Sequence, residues 1–516
     1  MANSEAGAPT ELILDDGEVT LDQLVAVAQM GRRVGLSGDT TWLGRINRGR
    51  EILERSLRDG ERIYGVSTSV GYSSGRGIEP PHAREFAYQI IRQHGCGLGP
   101  PFSREEGRAI VFARLVSLAK GYSAVRPELL EALCRLLNHD LIPVIPSLGS
   151  VGASGDLTPL SYLAAVLCGE REVYCGGAVV PAGEALARAG VPVHRFVPKE
   201  SLAIMNGTAV MTAIGALTAA RLEPTLAACE RACALAVEVL LGRSQAFHAT
   251  AHRLKHHPGQ VASAGAIRRA LEGSRLADSH HEPGRMVQDP YSLRCAPHVL
   301  GAARDALSWC REVLQRELNS VNDNPLVDPE TAETLFAGNF YGGHVALAMD
   351  LLKTTAASVA DLVDRQYALL VDSRLNAGLP ETLVAYEGCG LKALQLTCSA
   401  LTARAVQRAA PDTVLSRPTE VANQDKVSMG LHAALNAAEV TTLLQQVLAT
   451  QLIALSQAAG LRDETRLSPA GQDLVAAIRR RSPPLRYDRR LDGALHELTA
   501  MIDGGRDFLN PTKEGS

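Results

Sequence analysis

Apolar positions recur at three- and four-residue spacing along much of this chain. Val345, Met349, Leu352, Ala356, Val359, Val363 and Leu370 form one such series, with Asp350, Lys353, Asp361 and Asp364 between them. On a helix of 3.6 residues per turn this makes a single apolar stripe beside a polar face. Residues 209–241 read as helical too, as does a stretch after Ser103 with Glu105 and Glu106 in its first turn. Residues 440–461 carry no charge and are long enough to cross a bilayer. They include Thr441, Thr442, Gln445, Gln446, Gln451 and Gln457, which would be costly in hydrocarbon, so a buried core helix is predicted. Long helices packed side by side as a bundle account for all of these stretches.

The connecting segments 65–77 and 273–284 are polar and rich in Gly or Ser, a composition shared by lids and by plain solvated loops. No heptad array, low-complexity tract or internal repeat interrupts the pattern. The first ten residues and the tail after about 504 are expected to fray. Composition shifts sharply nowhere, so the divisions are soft: an N-terminal region 1–200, a central long-helix bundle 201–425 and a helical C-terminal region 426–516.

Composition narrows this picture. Aromatic residues are only 4% of the 516, from 8 Phe, 11 Tyr and 2 Trp, which disfavours a β sandwich or barrel and supports a mainly all-α fold with a smaller mixed N-terminal region. Lys and Arg (52) nearly balance Asp and Glu (56), so nothing advertises nucleic acid or an anionic membrane as a partner. The ten cysteines contain no CxxC pair. Cys229 and Cys233, at i,i+4 in an apolar stretch, read as buried thiols before they read as half a metal site. With a polar, acidic start and no signal-peptide pattern, a reducing cytoplasmic location is expected. His256-His257 and His280-His281 are adjacent pairs, unlike the i,i+4 ligands of a metal hydrolase, so no metal is expected.

The segment that carries chemistry runs Gly149-Ser150-Val151-Gly152-Ala153-Ser154-Gly155-Asp156-Leu157-Thr158-Pro159. By itself it reads as a turn entering a helix, with Asp156 or Thr158 near the cap and Pro159 in the first turn. Its company is more specific: Tyr64-Gly65-Val66, Met205-Asn206-Gly207-Thr208, Gln288-Asp289-Pro290-Tyr291-Ser292-Leu293-Arg294, Asn319-Ser320-Val321-Asn322-Asp323-Asn324-Pro325, Gly338-Asn339-Phe340 and Asn423-Gln424-Asp425. In this order and over nearly the whole chain, these motifs resemble the aromatic amino acid ammonia-lyase and aminomutase family. In texture the chain is closest to bacterial phenylalanine ammonia-lyases.

The chemistry agrees with the resemblance. Expelling an amine across an unactivated Cα–Cβ bond needs an electron sink, normally a cofactor. No GxGxxG follows a strand, and no lysine announces a pyridoxal site, so no nucleotide is expected. The resemblance implies that Ala153, Ser154 and Gly155 cyclise autocatalytically to a 4-methylidene-imidazole-5-one. Gly155 offers an unhindered nitrogen, and Ser154 offers the hydroxyl whose loss leaves the alkene. It also implies that Tyr64 is the base for the β-proton, which requires surroundings that favour a phenolate normally forming near pH ~10. By the same resemblance Tyr291 supports the electrophile or assists proton transfer, and Arg294, one helical turn on, clamps the substrate carboxylate. Asn206, Gln288 and Gln424 supply amide hydrogen bonds, and Leu202 and Phe340 line the pocket. Outside the motifs each amide would read as a satisfied buried polar group.

Substrate choice in the family depends largely on two adjacent residues, here Gln93-His94. Phenylalanine lyases have an aromatic residue then Leu, tyrosine lyases His then Leu, and histidine lyases and tyrosine aminomutases Ser then His. A polar pair implies a ring with a hydrogen-bonding group. Lys392 and Glu420 instead match phenylalanine lyases, and Glu420 could hold the substrate ammonium or receive the amine proton. Ser67 replaces a common Asn, Ser69-Val70 replaces a Gly-aromatic pair, and Lys426 is unusual. The expected activity is ammonia elimination from an aromatic L-amino acid to an aryl or imidazolyl acrylate, phenylalanine or tyrosine type before histidine. The alternatives are a 2,3-aminomutase making a β-amino acid, and a non-catalytic helical scaffold. The resemblance further implies a homotetramer with active sites shared between subunits.

Overall fold

The computed structural model of the chain describes residues 11–279 and 287–504. The expectations for the first ten residues, the tail, His280-His281 and the end of segment 273–284 lie outside the described residues. Among those described there are 18 α-helices, and the strands are short pieces in sheets of two or three, most of them before residue 182. The fold is mainly α with a mixed N-terminal region, as the apolar periodicity and scarce aromatics imply.

Close packing divides the chain into two compact units. The first comprises residues 1–217, 311–349 and 411–435. Its central helix, Arg104–Ala119, starts with a capping box in which Ser103 and Glu106 satisfy each other's backbone N–H, and every residue from Gly107 on is buried. It packs against the Leu21–Gln29 and Pro127–Asn138 helices. Nearby, the Leu157–Leu167 helix packs on Glu200–Met205, and both meet Ala83–Gln93. These three helices bring together residue 154, residues 202 and 206, and residue 94.

The second unit comprises residues 218–310, 350–410 and 436–516. Residues 440–460 belong to the Gly430–Gly460 helix and are almost all buried. Three of the four glutamines that argue against a membrane span are buried and have protein partners. Gln451 donates to Gln366 Oε1 (2.8 Å), Gln445 donates to Thr225 Oγ1 (3.1 Å), and Gln457 exchanges two hydrogen bonds with the Leu485 backbone. No helix among the described residues is long and apolar enough to cross a membrane.

Val345, Met349, Leu352, Ala356, Val359, Val363 and Leu370 all lie on the Gly343–Val371 helix and all are buried. Its polar face is narrower than the spacing implies. Asp350 and Lys353 are buried and form an i,i+3 ion pair at 2.8 Å, while buried Asp364 accepts from Ser399 Oγ (2.9 Å). Charges at these positions are tolerated because each is paired or hydrogen-bonded. Cys229 and Cys233 are buried, with Gln366 donating to the Cys233 sulfur (3.3 Å), and none of the ten cysteines is joined in a disulfide.

Candidate active site

Ser154 sits on a turn in which four of the seven residues 149–155 have positive φ: 143° at Gly149, 79° at Gly152, 54° at Ser154 and 75° at Gly155. Glycine adopts such angles at little cost, whereas Ser154 must be held there by its surroundings. Gly155 lies directly against Gly207, and a Cβ on Gly155 would overlap the Gly207 carbonyl oxygen. That oxygen accepts from Asp156 N at 2.8 Å.

Asp156 occupies the cap position of the Leu157–Leu167 helix, with Pro159 in the first turn, but its side chain does not cap that helix. Its carboxylate accepts from Val210 N (3.1 Å) and Met211 N (2.9 Å), the start of the Ala209–Val239 helix, and from Ser150 Oγ (3.2 Å). Burial raises Asp156 to about 7, against the pull of these three donors. Asp156 thus ties the Ser154 turn to a second, distant helix, a role that local capping rules do not reveal.

Tyr64, His94, Ser154, Leu202, Asn206, Glu420 and Gln424 line one narrow cavity of about 20 Å³. That is room for about one water and not for an aromatic ring. Gln424 Nε2 donates to Ser154 Oγ (3.3 Å), and Thr419 Oγ1 donates to Gln424 Oε1 (2.6 Å). Asn206 is buried; its Nδ2 reaches Asn324 O at 3.5 Å and its Oδ1 has no partner among the described residues.

Segment 65–77, which follows Tyr64, borders this cavity through Val70 and Gly71. Gly71 N donates to the Tyr64 hydroxyl (2.8 Å). A side chain at Gly71, with φ 58°, would bring its Cβ to 2.6 Å from the Glu420 carboxylate, and one at Gly65 would overlap Leu202. Ser67, the replacement for the usual Asn, accepts from Ile63 N (2.8 Å) and donates to Glu61 O (2.9 Å), so it closes the turn itself. Burial pushes the Tyr64 phenol above its ordinary value; the Gly71 N–H opposes this and the Glu420 charge adds to it. The expectation that Tyr64's surroundings favour a phenolate is therefore reversed within the chain.

Of the specificity pair, His94 faces the cavity and Gln93 is exposed and lines neither face of the site. Gln93 ends the Ala83–Gln93 helix and His94 caps it; consecutive helical side chains point about 100° apart, so one neighbour turns away. Lys392, at the start of the Lys392–Arg408 helix, is likewise exposed and lines neither cavity described here. On the other side of Ala153 and Ser154, Phe340, Tyr341, Asn324, Gln424 and Lys426 line a cavity of about 290 Å³ that also reaches Tyr64.

In the second unit Gln288 and Arg294 line a cavity of about 760 Å³ together with Arg243, His248 and His298. As the three-residue spacing implies, the Arg294 guanidinium lies over the Tyr291 ring, 4.4 Å from its centroid, and its Nε donates to Asp289 O (3.1 Å). Tyr291 is 71% exposed. Among the described residues no cluster of three or more His, Cys, Asp or Glu could hold a metal ion.

A family model described as aromatic amino acid lyase matches residues 19–480. The chain belongs to this family. It is 40% identical to a histidine ammonia-lyase of Gloeobacter violaceus, covering 96% of each chain. It is also 38% identical to a tyrosine ammonia-lyase of Cupriavidus metallidurans, covering 95% of this chain and 96% of that one. Its fold superimposes on the crystal structure of a tyrosine aminomutase from Streptomyces globisporus with a TM-score of 0.92 and 34% identity, covering 98% of both. This aromatic amino acid lyase is a carbon–nitrogen lyase.

The residues around Ser154 fit the cyclised group that the family implies. Gly155 lies in a cradle that excludes a Cβ, Asn206 presents a buried oxygen without a partner, and Gln424 is in reach of Ser154 Oγ. Sequence reasoning missed Asp156, which accepts from Val210 N and Met211 N, and buried Arg114, which donates to the Ala203 and Asn206 carbonyls beside this segment. Asp156 stood inside the quoted motif, but nothing in its spacing shows which helix it caps. Arg114 lies in an apolar run, and an arginine there is the only local signal that something polar must meet it.

Proposed function

We propose that the chain eliminates ammonia from an aromatic L-amino acid whose ring carries a hydrogen-bond donor, of tyrosine or histidine type, to give the corresponding acrylate. One observation carries the ring preference. His94 Nδ1 lies 2.9 Å from the Ile90 carbonyl, which can only accept, so the proton sits on Nδ1. The neutral ring then has a lone pair on Nε2. A phenol O–H or an imidazole N–H satisfies that lone pair, and a bare phenyl ring leaves it unpaired. This shifts the weight from Lys392, which is exposed, to His94.

Ala153, Ser154 and Gly155 would form the methylidene-imidazolone, which supplies the electron sink for amine loss. Asn206 and Gln424 hold it by hydrogen bonds, and Phe340 walls its other side. Tyr64 takes the β-proton, and Glu420, in the same cavity, meets the ammonium. Gln288 and Arg294 bind the carboxylate, with Tyr291 supporting the electrophile. We assign the assembly as a cytoplasmic homotetramer in which subunits complete each other's sites. The exposed apolar side chains of Leu347, Leu351, Leu396 and Val406 are consistent with extensive subunit contact.

Assaying wild type and His94→Leu with L-tyrosine, L-histidine and L-phenylalanine tests the reading, following acrylate absorbance and released ammonia. Wild type is expected to prefer tyrosine or histidine, and His94→Leu to shift preference toward phenylalanine. A wild type that prefers phenylalanine, with His94→Leu unchanged, contradicts it. The tightly closed cavity beside Tyr64 favours a second reading, a 2,3-aminomutase that retains the acrylate while ammonia re-adds. Chromatographic detection of a β-amino acid decides between them.

A further inference from the structure

Arg114 lies in the middle of the Arg104–Ala119 helix and is completely buried. Its partners among the described residues are backbone carbonyls. Nε and Nη2 donate to Ala203 O, Nη1 donates to Asn322 O at 2.8 Å, and Nη2 donates to Asn206 O at 3.1 Å. Burial holds the guanidinium down to about 10, with Asp323 opposing, so it remains charged at neutral pH. Asp323 itself pairs with buried Lys199 at 2.5 Å. A full positive charge thus stands under one short stretch of backbone, residues 203–207.

That stretch is the floor of the Ser154 turn. Gly207 is so close to Arg114 that a Cβ there would overlap Nη1. Gly207 also pairs with Gly155, and its carbonyl accepts from Asp156 N. The chain of contacts therefore runs from Arg114 through Asn206 and Gly207 to Gly155, whose nitrogen must approach the Ala153 carbonyl carbon. An Arg fork is suited to this because it fixes several acceptors in one plane, which a single ammonium cannot do.

We propose that Arg114 is the positioning residue for the electrophile: it holds the Asn206–Gly207 peptide against Gly155 and so sets the backbone geometry in which Ala153, Ser154 and Gly155 cyclise. This rests on the reading that these residues do cyclise. In that closure the Gly155 nitrogen bonds to the Ala153 carbonyl carbon. The Gly155 and Ser154 amide hydrogens leave with the former carbonyl oxygen as one water. The Ser154 α-hydrogen leaves with its hydroxyl as the second. No oxidant or reductant enters the balance.

The test is the mass of the full-length chain, and of its proteolytic peptide containing residues 153–155, in wild type, Arg114→Gln and Arg114→Lys. Far-ultraviolet ellipticity and the thermal midpoint are measured on the same samples. Wild type is expected to lack two waters. Folded Arg114→Gln should show the deficit in a fraction reduced at least about tenfold, as expected when hydrogen bonds to a charged group are lost. Arg114→Lys, which keeps the charge but not the fork, should fall between. A folded Arg114→Gln with the complete deficit overturns the proposal alone, whereas a wild type without the deficit overturns the cyclisation reading and the proposal with it. Should Arg114→Gln fail to fold, Arg114→Lys decides: wild-type ellipticity with a reduced deficit supports the role, and wild-type ellipticity with a complete deficit overturns it.

Discussion

The side chains assigned to the chemistry fall into two groups held in different ways. Around Ser154, in the first unit, the backbone is bent into left-handed angles, glycines touch bare backbone or side chains, and Asn206 is buried with an unpaired oxygen. Around Arg294, in the second unit, Tyr291 and Gln288 are exposed, and Arg294 rests on the Tyr291 ring in a broad cavity. The first group is built by the packing of a single chain. The second lines a broad cavity, the arrangement that the proposed carboxylate clamp in a shared site requires. Over-determined geometry is where strain can be stored, and a half-buried cation lining a broad cavity is where a ligand can be met.

Substitutions separate the two groups by kind of effect. Ser154→Ala removes the hydroxyl needed for the alkene, so turnover should fall below detection and the two-water deficit should disappear, both read on one purified sample. Tyr64→Phe should lower kcat by roughly 10²–10⁴, the usual contribution of a general base. Arg294→Met should act mainly through KM, raising it by about tenfold to a hundredfold for a lost charge-assisted pair. Steady-state kinetics of these two variants sharpen the contrast; an Arg294 effect confined to kcat would blur it.

Smaller effects follow from charge. Glu420 adds to the burial that raises Tyr64, so Glu420→Gln should lower the Tyr64 pKa and move the acid limb of the kcat profile to lower pH. Asp156, raised to about 7 in the fold, holds its proton where the unfolded chain has lost it. Its contribution to stability is therefore present below pH ~4 and lost as pH rises toward 7. Asp156→Asn should flatten the decline of the thermal midpoint across that window, and an unchanged slope would assign the decline to other groups.

How much of this was legible beforehand follows the same division. Helices with one apolar stripe, such as Gly343–Val371, follow from periodicity because burial acts on each residue alone. So does the charge-free Gly430–Gly460 helix, whose buried glutamines each have a partner. The motif residues Tyr64, Asn206 and Gln424, and the expected site residues Leu202 and Glu420, do converge with Ser154. What could not be read is direction. Adjacent Gln93 and His94 differ only in which way they face, and that is set by where one helix ends. Nor could partners distant in sequence be read, such as Asp156 with Met211 or Arg114 with Asn322, because no local pattern encodes them. The raised Tyr64 is of this kind too: its cause includes Glu420, 356 positions away in sequence.

The central claim is that the Ser154 group and the Arg294 group, lining separate cavities in one chain, serve one reaction. It is tested most directly by co-expressing Ser154→Ala with Arg294→Met, isolating assemblies that contain both chains, and measuring acrylate formation at a substrate concentration where each parent is inactive. The account predicts that the mixed assemblies recover turnover, because some of their sites combine an intact Ser154 from one subunit with an intact Arg294 from another. Mixed assemblies as inactive as their parents would contradict it.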